Sequence, residues 1–148
     1  MCFPEIARRL HPLKAFSDRV LSPVVMLAAR LMVAKPFFVS GKLKLGYVLN
    51  GQQDTLYFLF EDYHVPLLPV KEAAWMGMMG ELGLSTLLAL GLFARFGALG
   101  LIVMSAVIYH ADGNQVAPLW AMICAIIAVH GAGKLSVDAL LFRDKTKI

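Results

Sequence analysis

The feature that most constrains this chain is a long apolar segment at its centre that carries one acid. Residues 73–93 are apolar for about the 20 positions that a membrane-spanning helix needs, yet Glu81 lies near the middle. On a helix, the residues that share one face with Glu81 at spacings of four are all small: Ala73, Gly77, Ser85 and Ala89. Small residues let a neighbouring helix approach closely, and a carboxyl group is costly in lipid. We therefore predict that Glu81 faces another helix at a functional or partner-pairing position.

The composition indicates a single membrane domain over residues 1–148. The chain is 59% hydrophobic and only 16% charged, with a mean hydropathy of +0.69, which is too apolar for an ordinary soluble domain of 148 residues. The net charge of +4 does not indicate nucleic-acid binding, because the basic residues cluster at the ends of apolar segments. The two cysteines, Cys2 and Cys124, are too few for a disulfide framework.

The hydropathy pattern predicts an all-α bundle of four membrane-spanning helices in contact with the lipid bilayer. The predicted spans cover about residues 21–46, 71–93, 96–110 and 118–131. Basic residues collect at both chain ends and in the loop that shares their side, so the positive-inside rule predicts cytoplasmic N- and C-termini. The segment 55–61 is too short to cross, and we predict a short helix on the outer rim of the bundle.

The first span carries cations on the face that would meet the second span. At 100° per residue one face collects these residues: Arg30, Ala34, Phe37, Gly41 and Lys44. Lys35 points away from that face. Counting 1.5 Å per residue, Arg30 lies about 14 Å into the first helix and Glu81 about 15 Å from the outer end of the second. Both depths fall near the middle of a core about 30 Å thick, so we predict an Arg30–Glu81 pair.

Two interpretations of that pair remain open. In the first, Arg30 and Glu81 form an ion pair that fixes the helix register. In the second, they line a polar cavity, where Glu81 accepts or relays a proton and Arg30 holds an anionic or quinone-like oxygen. In that interpretation Glu81 and Arg30 are the catalytic candidates, and the candidates for holding a cofactor are Arg30, Lys44, Glu61 and Glu81.

A second polar cluster is predicted at the outer surface. Lys44 lies close in depth to Glu61 and His64, and His110 is placed to join them. The residue types suit a metal, but their spacing matches no compact ligand motif, so we predict rim hydrogen bonding and no metal site.

Three residues are predicted to hold the opposite, cytoplasmic end together. His130 and Asp138 lie near Arg95 in depth, and we expect them to tie the turn to the last helix rather than to catalyse a reaction. Ser136 is predicted to cap a final half-turn over residues 137–142.

Several motifs occur in an order that resembles one known family. They are Arg30 with Phe37-Phe38-Val39-Ser40-Gly41 and Lys44, then residues 60–66, Gly80-Glu81-Leu82, residues 90–95 and residues 131–138. This set resembles the DoxX family of small bacterial membrane proteins. The resemblance implies a four-helix bundle in the bacterial inner membrane, with its termini in the cytoplasm. Lys35 and the Val-Lys pair at residues 70–71 depart from the family pattern.

The resemblance also implies a link to membrane redox chemistry. One branch of the family resembles the DoxD subunit of a thiosulfate:quinone oxidoreductase. Another branch, associated with the maturation of copper-binding peptides, is similar to this chain over residues 63–69. We therefore predict a membrane subunit of a redox- or quinone-linked complex, with the main catalytic groups on a protein partner. Quinone is the candidate cofactor, and the sequence establishes no cofactor.

The sequence leaves alternative functions open. One is an accessory protein for a copper-binding peptide, and another is a pathway for protons or small molecules through the bundle. Whether the chain is itself an enzyme stays open, as does a homo-oligomer, because small-residue stripes pack equally well within one bundle or between copies.

Overall fold

A computed structural model describes residues 17–63 and 68–141, and every regular element in those ranges is helical. A π-helical turn, Ser17–Leu21, leads into the first helix. The helices are α1 (Ser22–Leu49), α2 (Gln53–Asp62), α3 (Val70–Leu90), α4 (Ala94–Asp112), α5 (Ala117–His130) and α6 (Val137–Leu141). Each of the four predicted spans is therefore helical, and the all-α prediction holds for the described residues.

Three helices are long and apolar enough to cross a membrane: α3, α4 and the helix that runs from Arg19 to Leu49. The fourth predicted span, α5, is apolar but has only 14 residues, about 21 Å of helix. The chain is a multi-pass membrane protein of packed helices.

Helix α3 packs antiparallel against both of its long neighbours through small residues. A Cβ on Gly41 of α1 would lie 2.8 Å from Leu82 Cγ and 3.1 Å from Glu81 Cβ, so the two backbones approach closely. On the other side, a Cβ on Gly97 of α4 would lie 3.2 Å from the carbonyl oxygen of Leu84. Close approach at small residues is the packing that the stripe around Glu81 predicts.

Helix α2 lies on the bundle where the sequence predicts a short rim helix. Leu56 and Phe60 are buried against the first turns of α3, in a cluster that includes Met78. Gly77 leaves room for the Phe60 ring, because a Cβ there would lie 2.6 Å from Phe60 Cζ. The predicted rim helix is thus confirmed as a packed element.

The end of the bundle at which α1 begins is closed by hydrogen bonds from α6. The carboxylate of Asp138 accepts from the backbone N–H groups of Phe93 (2.8 Å) and Ala94 (3.1 Å) at the start of α4. Ser136 Oγ accepts from Ala139 N at 3.1 Å, which confirms the predicted cap. The last predicted residue of that half-turn, at position 142, lies outside the described residues. His130 contacts only its own helix in the described hydrogen bonds, through Ile126 O at 3.0 Å.

Candidate functional site

The buried acid of α3 forms an ion pair with the lysine near the end of α1. Lys44 Nζ contacts Glu81 Oε1, and the two residues are only 7% and 3% exposed. Helix α1 brings Lys44 inward because its buried stripe runs through Phe37, Gly41 and Lys44. The prediction that Glu81 faces a neighbouring helix and not lipid is confirmed.

The predicted Arg30–Glu81 pair is wrong. Arg30 and Lys44 share the buried face of α1 but lie 14 residues apart, about 21 Å along the helix. Because Gly41 packs on Leu82, the axial offset between α1 and α3 places Lys44 beside Glu81. Arg30 instead lies beside Gly91, ten residues or about 15 Å beyond Glu81.

Arg30 is fully buried at the end of the bundle where α3 stops. Its Nη2 donates to the carbonyl oxygen of Leu135, whereas Nε and Nη1 have no hydrogen-bond partner among the described residues. A Cβ on Gly91 would overlap Arg30 Nη1, and Gly91 adopts a φ of +69°, so glycine suits this position on both grounds. Arg30 therefore connects α1 to the segment before α6 and lies away from Glu81.

The second oxygen of the Glu81 carboxylate is available for a further contact. Glu81 Oε2 is buried and has no hydrogen-bond partner among the described residues. The Phe60 ring lies 5.3 Å from Lys44 Nζ, within the range of a cation–π contact. One carboxylate oxygen is thus held by Lys44, and the other presents an unused acceptor.

A cavity of about 480 Å³ opens onto this pair from between the helices. Its lining is mostly apolar and draws on the long helices and on α5. The apolar side chains include Phe37, Leu84, Met104, Ile108 and Trp120. The polar side chains in the deeper lining are Ser40, Lys44 and Glu81. An apolar chamber with a few convergent polar groups is the usual form of a small-molecule site, for which volumes of roughly 300–1,000 Å³ are typical.

Three more polar residues line the cavity at the end where α4 finishes: Tyr63, Asp112 and Asn114. Burial raises the pKa of the Tyr63 hydroxyl, and the nearby carboxylates of Asp112, Glu81 and Asp62 raise it further. Tyr63 therefore stays protonated at neutral pH, as a hydrogen-bond donor at the edge of the cavity. Sequence reasoning missed this residue as part of the site, because it lies in the connection after α2.

The predicted outer cluster does not form as expected. Lys44 belongs to the buried pair, whereas Glu61 is exposed on α2 and does not line the cavity. His64 lies outside the described residues, and His110 is exposed, with its ring 5.9 Å from that of Tyr109. No group of three His, Cys, Asp or Glu side chains is placed to hold a metal within residues 17–63 and 68–141.

Comparisons with known proteins give a family match and one relative of similar length. The family model for DoxX matches residues 25–111. A protein of Haemophilus influenzae that is described as uncharacterized is 32% identical over 137 residues, covering 81% of this chain and 85% of the relative. No solved structure matches the chain significantly.

Proposed function

The chain belongs to the DoxX family, and we propose that it is a membrane subunit of a redox-linked complex that holds a quinone in the Lys44–Glu81 cavity. The single observation that carries the proposal is a mostly apolar chamber with one buried ion pair in its wall. A quinone matches that environment, because it joins an apolar ring and tail to two carbonyl oxygens.

The buried pair supplies the two polar contacts that a quinone head needs. Lys44 is a donor, and its ammonium retains N–H groups beyond the one aimed at Glu81 Oε1. Glu81 Oε2 has no described partner, so it is placed to accept a hydrogen bond or a proton from a hydroquinone hydroxyl. In this proposal Lys44 takes the role that the sequence analysis gives to Arg30.

The redox step needs a partner subunit. Reduction of a quinone to a hydroquinone consumes two electrons and two protons, and the sequence contains no dinucleotide fingerprint or CxxC pair that would bind an electron carrier. We therefore assign the electron carrier to another protein of the complex. The role of this chain is to bind and orient the quinone and to exchange protons at Glu81.

We also propose that the complex lies in the bacterial inner membrane, with the Arg30 end of the bundle toward the cytoplasm. Arg19, Arg95 and Lys134 lie at that end, whereas the opposite end carries the acids of α2 and Asp112. This distribution satisfies the positive-inside rule. Labelling of single cysteines with a membrane-impermeant maleimide checks the orientation: a cysteine at position 54 should react from outside, and one at position 134 should not.

Quinone content tests the main proposal directly. Protein purified in mild detergent should carry bound quinone, measured after solvent extraction by its redox difference absorbance. The double variant Lys44→Met/Glu81→Met, which leaves no unpaired buried charge, should lose at least nine-tenths of it. The control Lys35→Met changes an exposed lysine of the same helix and should retain it.

Circular dichroism shows whether the double variant keeps its helices. The proposal fails if the folded double variant binds as much quinone as the wild type, or if the wild type carries none when purified from quinone-containing membranes.

A further inference from the structure

The cavity that holds the Lys44–Glu81 pair reaches the surface of the bundle on its apolar side. Met76 of α3 and two residues of α4, Val103 and Val107, line the cavity and are also exposed. The exposed fraction is 62% for Met76 and 64% for Val103. A residue that lines a cavity and is largely exposed lies at the rim of an opening. The cavity therefore opens between α3 and α4.

The way in which α3 and α4 pack explains the opening. Near the start of α4 the two backbones touch, because a Cβ on Gly97 would lie 3.2 Å from the carbonyl oxygen of Leu84. At the middle of α3 the nearest atom to a Cβ on Gly80 is instead a side-chain atom, Met104 Sδ, at 3.1 Å. A flexible methionine thus bridges the helices where the glycine supplies no side chain. We define the portal by the residues around this gap that line the cavity: Met76, Gly80, Val103, Met104 and Val107.

The portal lies at the depth of the hydrocarbon core. Gly80 is the middle residue of α3 (Val70–Leu90), and Val103 is the middle residue of α4 (Ala94–Asp112). Each is therefore about 14–15 Å from both ends of its helix, which is close to half of a core about 30 Å thick. An opening at this depth faces the acyl chains of the bilayer.

The portal and the buried pair differ in chemistry. The portal residues carry no hydrogen-bonding or charged side chain, whereas Lys44 and Glu81 offer a donor and an acceptor inside the cavity. A polar group that stayed in the portal would lose its hydrogen bonds to water and gain none from these side chains. An apolar chain that runs from the cavity through the portal into lipid incurs no such cost. The site therefore suits a ligand with a polar head and an apolar tail.

We propose that the ligand is a long-tailed amphiphile whose head meets Lys44 and Glu81 and whose apolar tail leaves through the portal into the bilayer. This inference rests on the proposed function and specifies it: the quinone has a long isoprenoid tail and is taken up from the lipid rather than from water. Filling the portal should therefore weaken binding of a long-tailed quinone and spare binding of the same head group without its tail.

Two quinones that differ only in the tail test the proposal. One carries a long isoprenoid tail, the other a methyl group in its place, and each is titrated into the purified protein in lipid nanodiscs. Val103→Trp puts an indole ring into the portal and should weaken binding of the long-tailed quinone at least tenfold and of the tailless one less than threefold. Leu99→Trp adds the same ring at an exposed position one turn earlier on α4, outside the cavity lining, and should change neither. Circular dichroism checks that both variants are folded.

Photocrosslinking locates the tail in the wild-type protein. The probe is the long-tailed quinone with a diazirine in the part of the tail next to the head group, and mass spectrometry identifies the labelled residues. Label on Met76, Val103 or Val107 should disappear when unlabelled long-tailed quinone is added in excess. Label that the same probe leaves on Leu99 from the surrounding lipid should not respond to this competition.

The portal is refuted if Val103→Trp binds both quinones as the wild type does, or if the label removed by competition lies outside the portal residues. If Val103→Trp loses both quinones, the competed label in the wild type decides: label on the portal residues supports the proposal, and label elsewhere refutes it. A wild-type protein that binds neither quinone refutes the proposed function itself. Failure of the portal and failure of the quinone site therefore give different results.

Discussion

Replacing Lys44 alone should destabilise the bundle far more than replacing Lys44 and Glu81 together. Both residues are almost fully buried, so Lys44→Met leaves the Glu81 carboxylate in an apolar chamber without its cation. Breaking a buried pair in this way costs about 3–5 kcal/mol, whereas exchanging both partners for apolar residues of similar volume is often close to neutral. We expect Lys44→Met and Glu81→Met each to lose free energy of unfolding in that range.

The measurement is a double-mutant cycle on the purified protein in mixed micelles. Unfolding by a denaturing detergent is followed by circular dichroism, and the free energies of the wild type, the two single variants and the double variant are compared. The double variant should be at least about 2 kcal/mol more stable than the sum of the single effects predicts. Lys35→Met, at an exposed position of α1, should change stability by no more than about 0.5 kcal/mol.

Additivity would contradict this reasoning. If the two single effects summed to the double effect, or if each were below about 1 kcal/mol, Lys44 and Glu81 would not depend on each other for burial. The pair would then be too weakly coupled to explain how a carboxylate is held at the centre of the bundle.

Three further predictions concern other parts of the fold. Gly91→Ala should cost more than about 2 kcal/mol of unfolding free energy, because a Cβ there would lie 2.6 Å from Ser136 Cβ and overlap Arg30, in addition to the strain of a positive φ. Gly51→Ala has a similar φ of +72° but open space, and should cost only about 1–2 kcal/mol in the same assay. Asp138→Asn should lower the melting temperature through a loss of about 1 kcal/mol, because Phe93 N–H and Ala94 N–H donate to different carboxylate oxygens and an amide offers only one acceptor oxygen. Tyr63 should ionise at a higher pH than a free tyrosine, because its pKa is raised. Absorbance at 295 nm measures tyrosine ionisation, and the step at high pH should be absent from the titration of Tyr63→Phe.

Composition and short-range periodicity determined the long helices of this protein, the buried face of α1 and one helix cap. The apolar runs predicted the long helices, since a chain this poor in charge must bury its backbone hydrogen bonds within helices when it enters lipid. The face of α1 that holds Arg30 and Lys44 followed from the 100° turn per residue, and Lys35 was correctly placed on the other side. The Ser136 cap was likewise predictable, because its hydrogen bond joins residues three apart.

Only the tertiary structure decided which cation meets Glu81. Periodicity places Arg30 and Lys44 on one face equally well, and counting depth from the helix ends assumes that α1 and α3 start level with each other. Their axial offset is set instead by the packing of Gly41 on Leu82, a contact between residues 41 positions apart in sequence. The same offset carries Arg30 to Gly91 and Leu135. The position of one helix along another depends on how their side chains interlock, which no local pattern in either helix contains.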